Sequence, residues 1–175
     1  CLITSGWLEA LYTIADGGEV DLSALPGASR SEAWQRGDVL ALERQPGTQM
    51  PGSRLTTIRE GIATISITGP IIRHADMFME MSGAVSLQAI SRDFHRALAD
   101  QDVRGILLNI DSPGGEASDI DEFAAMVASA RGVKPIHAYV GDLMASAAYW
   151  IGSAASKITA SRTASLGSIG TVAIV

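Results

Sequence analysis

The chain has 175 residues, 47% of them hydrophobic and 18% charged, enough to bury a core of single-domain size. Nineteen acidic against 13 basic residues give a net charge of −6. No Lys/Arg run offers a footprint for phosphates, which argues against nucleic acid as a partner. The single cysteine, Cys1, excludes an internal disulfide framework, no Cys/His spacing suits zinc, and no apolar stretch reaches the ~18 residues of a membrane span. Neither a metal nor an organic cofactor is expected, and no membrane segment.

Residues 1–58 form a less regular preface. Trp7, Leu8, Leu11, Tyr12 and Ile14 have helical spacing that Gly17-Gly18 stops. A second helix is expected from about Ser31, with Trp34 and Leu40 on its apolar side, before Gln45-Pro46-Gly47 and Pro51-Gly52-Ser53 mark a loop. Residues 59–175 form the second, main domain. The opening on Cys1 and the close at Val175 inside an apolar run lead us to expect that this domain continues past residue 175.

From Gly61 onward strands and helices alternate. Ile62, Ile65, Ile67 and Ile71-Ile72 predict one β-branched strand, and Ser86 caps a helix with Leu87, Ile90, Phe94, Ala97 and Leu98 on one face. Ile106-Leu107-Leu108-Asn109-Ile110 reads as a strand buried on both faces. Asp119 starts a helix carrying Phe123, Met126 and Val127. Residues 135–140 form the next strand, 146–156 a helix and 158–160 a short strand. This order predicts an α/β fold with a mostly parallel core sheet and right-handed crossovers, whose ligands sit beyond the carboxyl ends of the strands.

Two segments occupy that position. In Asp111-Ser112-Pro113-Gly114-Gly115 the glycines let a substrate approach closely, and successive N–H groups of Gly114 and Gly115 can point at one oxygen, as an oxyanion hole requires. Taken alone, Ser-Pro-Gly-Gly is more often an ordinary strand-to-helix turn. In Met144-Ala145-Ser146-Ala147-Ala148-Tyr149-Trp150 small neighbours leave the Ser146 hydroxyl accessible at a helix start, suited to a nucleophile. A serine there is more often an N-cap. Ser112, Ser153, Ser156, Ser165 and Ser168 compete with it but lack the same setting.

No partner for the serine's proton is evident. His95 reads as a surface residue of a helix and His137 as a satisfied sheet histidine; His74, like both, precedes Ser146. Of the two lysines, Lys134 reads as solvated at a strand entrance and Lys157 as snorkelling from a short strand. The run Met77-Phe78-Met79-Glu80-Met81-Ser82-Gly83 offers adaptable side chains. Met77, Met79 and Met81 there could line a substrate groove or a subunit contact, with core filling the alternative.

Four separated blocks then carry a resemblance: Leu108-Asn109-Ile110-Asp111-Ser112-Pro113-Gly114-Gly115, Lys134-Pro135-Ile136, Ser146-Ala147-Ala148-Tyr149-Trp150-Ile151 and Ser165-Leu166-Gly167-Ser168-Ile169-Gly170. Over residues 58–175 the chain resembles the signal peptide peptidase A family of Ser-Lys peptidases. The preface with Trp7 and the run Ile72-Arg73-His74-Ala75-Asp76 are closer to its phage minor capsid protein C branch, the prohead proteases. The resemblance implies a Clp protease/crotonase-like fold assembled as a homo-oligomeric ring. It implies Ser146 as nucleophile and the N–H groups of Ala147 and of Gly115, or Gly114, as the oxyanion hole, with a lysine base beyond Val175 rather than Lys157. The implied partners are a polypeptide substrate and phage head or scaffold proteins, in proheads assembling in the host bacterial cytoplasm. A Ser-His-Asp site is disfavoured because no histidine follows Ser146. An acyl-CoA enzyme of the crotonase type would use an acid such as Glu116 and would not predict the Ser146 block. Two further alternatives are a structural head-assembly protein without turnover and a bacterial signal peptide peptidase.

Overall fold

The computed structural model describes residues 47–74, 79, 81 and 83–170, so the helices expected near Trp7 and from Ser31 lie outside the described residues. In chain order the elements are β1 (Thr48–Gln49), β2 (Thr56–Arg59), β3 (Ile62–Thr68), β4 (Ile71–Ile72), β5 (Val85–Ser86) and α1 (Leu87–Ala99). There follow β6 (Gly105–Ser112), α2 (Ile120–Ala130), β7 (Ile136–Ala145), α3 (Ala147–Ser153), β8 (Lys157–Ala160) and β9 (Ser165–Gly167).

Seven strands make one sheet in the order β1-β2-β3-β6-β7-β8, with β9 also paired to β7. The β1-β2 and β2-β3 pairs are antiparallel, and every pair from β3 onward is parallel, giving the mostly parallel α/β sheet expected. The sheet already includes Thr48, so two strands begin ahead of residue 59. Because β3, β6, β7 and β8 follow one another across the sheet in chain order, right-handed crossovers place the connecting helices on one face. That face is apolar by strand alternation. Ala63, Ile65 and Ile67 of β3, Ile106, Leu108 and Ile110 of β6, and Ile136, Ala138 and Val140 of β7 all belong to the buried cluster.

Helix α1 meets this face with Leu87, Ile90, Phe94 and Ala97, as the spacing predicted, and Ser86 is a true N-cap, its Oγ accepting from Ala89 N. Phe94 stands edge-on to Phe123 of α2 at 5.7 Å between centroids, a favoured arrangement of aromatic quadrupoles. One charged residue joins the core. Asp93 is fully buried, which is costly unless its oxygens find donors. Oδ2 accepts from Ser53 and Thr56 hydroxyls, tying the β1-β2 turn to α1, whereas Oδ1 has no hydrogen bond and only an Arg92 guanidinium 3.5 Å away.

The structure corrects several details. The strand expected over residues 62–72 breaks at Gly69-Pro70: Gly69 has φ +77° and a Cβ there would stand 2.0 Å from Gly83 O, while Pro70 has no N–H to continue the ladder. Ile71 and Ile72 leave the main sheet to pair with β5. β7 runs on to Ala145 rather than ending at Val140, and α3 ends at Ser153. Lys134 is not a solvated side chain. Its Nζ donates to Ala97 O and Asp100 O, supplying a cation to the last carbonyls of α1.

His137 is the satisfied sheet histidine expected: it is buried, with Nε2 2.9 Å from Thr159 Oγ1. Burial, aided by the charge of Lys157, lowers its pKa from 6.5 to about 4. The unfolded chain therefore takes up this proton near pH 6.5 and the folded chain only near pH 4. Stability contributed by neutral His137 is intact above that window and is lost as pH falls through it, with a slope of up to about 1.4 kcal/mol per pH unit. Urea denaturation at a series of pH values should show this slope between about 6.5 and 4, and His137→Gln should flatten it. Phe94→Ala should cost ~3–5 kcal/mol in the same assay, since a large side chain at the centre of the cluster leaves a cavity.

Candidate active site

The carboxyl ends of β6 and β7 converge because β7 carries extra residues. Ile110 pairs with Val140 but Ser112 with Met144, so residues 141–143 form a bulge that re-aims the end of the strand. Met144, fully buried, anchors the turn beneath α3. A Cβ on Gly152 would lie 2.3 Å from Met144 Sδ, so the missing side chain leaves the space that Met144 fills beneath the helix.

Ser146 follows at the turn. Its backbone has φ 52°, ψ −123°, a region that costs a non-glycine residue about 1–3 kcal/mol and clusters at functional sites. Its N–H donates to Gly167 O at 3.0 Å and its carbonyl accepts the first helical bond from Trp150 N at 3.0 Å. Its hydroxyl makes no cap bond. The contrast with Ser86 is direct: Ser86 has φ −80°, ψ 125° and a bonded Oγ, as a capping serine should. Ser146 has neither, so the ordinary N-cap reading does not describe it. Ser146 is half-buried, and a serine with its hydroxyl unbonded at a sharp strand-to-helix turn has the backbone setting of a nucleophile elbow.

The glycine loop is brought to the same place. Gly114 has φ +92°, and a Cβ on it would lie 2.7 Å from Ser146 Cβ and 2.8 Å from Ala147 N. Its own N–H donates to Ser112 Oγ at 3.1 Å, so of the candidate oxyanion donors Gly114 is already engaged. Gly115 differs. Ile71 bridges it as in a parallel ladder: Ile71 N donates to Gly114 O at 2.8 Å and Glu116 N to Ile71 O at 2.9 Å. In such a ladder the residue between those two bonds turns its own N–H and carbonyl the other way. The N–H groups of Gly115 and Ala147 have no acceptor among the described residues.

Other serines are accounted for. Ser112 is fully buried and donates to Gly69 O at 2.7 Å, Ser153 donates to Trp150 O at 2.8 Å, and Ser156 Oγ accepts from Ile136 N at 3.4 Å. Ser165 and Ser168 are exposed. The Gly-Ser-Ile-Gly block does serve the site, because β9 pairs Ala145 with Gly167 and thereby supplies the carbonyl that holds Ser146 N. No local sequence pattern signals that anchoring role, because it depends on a strand pairing between segments about 20 residues apart.

No described side chain is bonded to the Ser146 hydroxyl. His137 and its register partner Lys157 lie at the far end of β7, and at ~3.3 Å per residue this separates them from Ser146 by roughly 25–30 Å. Lys134 is held by α1, and His74 and His95 are exposed. Glu116, the acid an acyl-CoA enzyme would need, accepts from Arg73 N at 2.8 Å. Of the methionines, Met77 lies outside the described residues, while Met79 and Met81 are 46% and 81% exposed and so do not fill the core. A cavity of about 460 Å³ opens at the start of α1, lined by Arg54, Ser86 and Arg92 among others; the Ser86 hydroxyl there is engaged as the N-cap of α1. No group of metal-ligating side chains occurs among the described residues, and none of their helices is long and apolar enough to cross a membrane.

Comparison with known proteins places this geometry. Residues 128–175, which include Ser146 and β9, match the model of peptidase family S49. The chain is 35% identical over 128 residues to the head-tail preconnector protein GP5 of Enterobacteria phage P21, covering 73% of this chain and 25% of that protein. It is 28% identical over 162 residues to the capsid assembly protease C of Escherichia phage lambda, covering 91% of this chain and 37% of that protein. The chain thus spans between a quarter and two fifths of these curated relatives. Among solved structures, an enoyl-CoA hydratase from Mycobacterium avium subsp. paratuberculosis K-10 is similar at 16% identity and a TM-score of 0.47, over 67% of this chain and 48% of that one. By its family match and its phage relatives, the chain belongs to peptidase family S49.

Proposed function

We propose that this chain carries the nucleophile and oxyanion hole of a serine endopeptidase that matures phage heads, cutting scaffold or capsid-associated protein. The observation that carries the proposal is the strained Ser146, its hydroxyl unbonded, beside the two acceptor-free amides of Gly115 and Ala147. Family membership supports the peptidase chemistry, and the similarity to phage P21 and lambda proteins supports the setting in assembling proheads of the host cytoplasm.

In this mechanism Ser146 Oγ attacks the scissile carbonyl and loses its proton to a general base. The oxygen of the tetrahedral intermediate is held by the Gly115 and Ala147 N–H groups, each such donor being worth about 3 kcal/mol in comparable sites. The base returns the proton to the leaving amine, and water then hydrolyses the acyl-enzyme. The base is a residue outside the described ones, a lysine beyond Val175 by the family resemblance. Met79 and Met81, exposed and apolar, are assigned to the substrate groove, with Met77 beside them in sequence. The homo-oligomeric ring is part of the same reading, supported by the exposure of Trp150 and Ile169.

A second reading has one observation in its favour. Among the described residues no base is bonded to the Ser146 hydroxyl, as a structural head-assembly protein without turnover would allow. In the full-length protein, Ser146→Ala should lower cleavage of the head substrate by roughly 10⁴-fold or more, followed on gels, while assembly stays intact. Fluorophosphonate labelling of the wild type at Ser146 should accompany activity. Undiminished cleavage by Ser146→Ala would sink the peptidase site, and an unlabelled, inactive wild type would favour the structural protein. Gly115→Ala should lower kcat by about 10²-fold, because its Cβ would stand 1.9 Å from Ile71 O and push the oxyanion donor out of line.

A further inference from the structure

The segment just after β3 runs beside the glycine loop as a zipper of six contacts. Gly69 N donates to Asp111 O at 2.9 Å, Ser112 Oγ donates to Gly69 O at 2.7 Å, and Ile71 makes its two backbone bonds to Gly114 and Glu116. The zipper ends on Arg73. Its backbone N–H donates to Glu116 Oε2 at 2.8 Å and its Nε meets Asp119 Oδ2 at 2.6 Å. Asp119 stands at the start of α2 with φ 64° and no cap bond of its own, so the carboxylate that would ordinarily cap the helix is turned toward Arg73.

From this arrangement we propose that Arg73 and Asp119 are positioning residues for the oxyanion hole, a proposal that rests on the serine peptidase reading above. The chain from Gly115 to Asp119 is short and irregular, and Gly115 can hold its N–H toward Ser146 only while the bridge to Ile71 stays in register. Arg73 fastens that register from the downstream side. Its side chain grips Asp119 where α2 begins, and its backbone grips Glu116, the residue after Gly115. Ser112 fastens the upstream side through Gly69. The pair is half-exposed, with side-chain exposures of 50% and 43%, so its contribution to overall stability is small. Its effect falls on the placement of one N–H group, to which rate is sensitive at the level of an ångström.

The test uses the full-length protein. Arg73→Gln and Asp119→Asn should each lower kcat by about tenfold while leaving KM within about twofold, since the hole acts on the transition state and not on ground-state binding. The melting temperature should stay within a degree or so of wild type. The double variant should be no slower than either single one, because both remove the same contact, and Arg73→Lys should recover part of kcat. Unchanged kcat in Arg73→Gln, losses that multiply in the double variant, or a loss confined to KM or to melting temperature would each overturn the clamp. Ser146→Ala measured alongside separates the two claims. If it still cleaves, the peptidase site falls and the clamp with it; if it is dead while Arg73→Gln runs at the wild-type rate, the clamp alone falls.

Discussion

The site depends on an absent side chain. Gly114 lies where the end of β6 meets the turn after β7, and a single methyl group on it would press on Ala145 O, Ser146 Cβ and Ala147 N, all within 2.8 Å. With hydrogen in that place the two strand ends close to contact, and the loop after β6 can pass directly beside the serine. Gly115 and Gly152 repeat the constraint on either side, against Ile71 and Met144. Two close approaches to backbone, at Gly114 and Gly115, and one to the Met144 side chain, at Gly152, set the distance between the two halves of the site.

That closeness is maintained by the bulk of the fold. Ser146 sits in an unfavourable backbone region, and strain of this kind persists only when surrounding structure over-determines it. Here the over-determination is visible: Met144 is locked in the cluster below, Gly167 O holds the serine's N–H, and α3 begins on its carbonyl. The core that does this is continuous from β3 to β7 and is closed by α1, α2 and α3.

Much of this was legible in the chain because burial leaves a pattern. The run from Ile106 to Ile110 is apolar on both faces, and the α1 positions Leu87, Ile90, Phe94 and Ala97 keep helical period, so both elements followed from spacing. What spacing does not encode is where a partner far along the chain will stand. Nothing in the local sequence marks Asp93 for burial, which rests on the hydroxyls of Ser53 and Thr56, 40 and 37 residues earlier. Lys134 acquires its role from α1, and Ile71-Ile72 extends the β-branched pattern of β3 although Gly69-Pro70 has already turned the chain away. The small residues around Ser146 pointed to an accessible hydroxyl. They did not reveal the backbone angle that separates it from a cap, since that angle is imposed by β9 and by Met144.

The chemistry divides along the same line. On the proposed reading, every group that the described site offers to an acyl transition state, apart from one hydroxyl, is backbone: two N–H groups, held by further backbone bonds to Ile71 and Gly167. Such donors are insensitive to pH and need no reorganisation as charge develops, which is where electrostatic stabilisation is strongest. Proton transfer has no such substitute, because it needs a single side chain with a suitable pKa within hydrogen-bond reach of Ser146. His137 illustrates why proximity in sequence does not meet that need: it is buried, bonded to Thr159 and lowered to about 4, suited to remaining neutral within a sheet. On the serine peptidase reading, the fold assembles the charge-stabilising half of the site from glycine, alanine and strand register, and the sequence blocks that do so are rich in small residues for that reason. On that reading the proton-carrying half comes from an element outside the described residues.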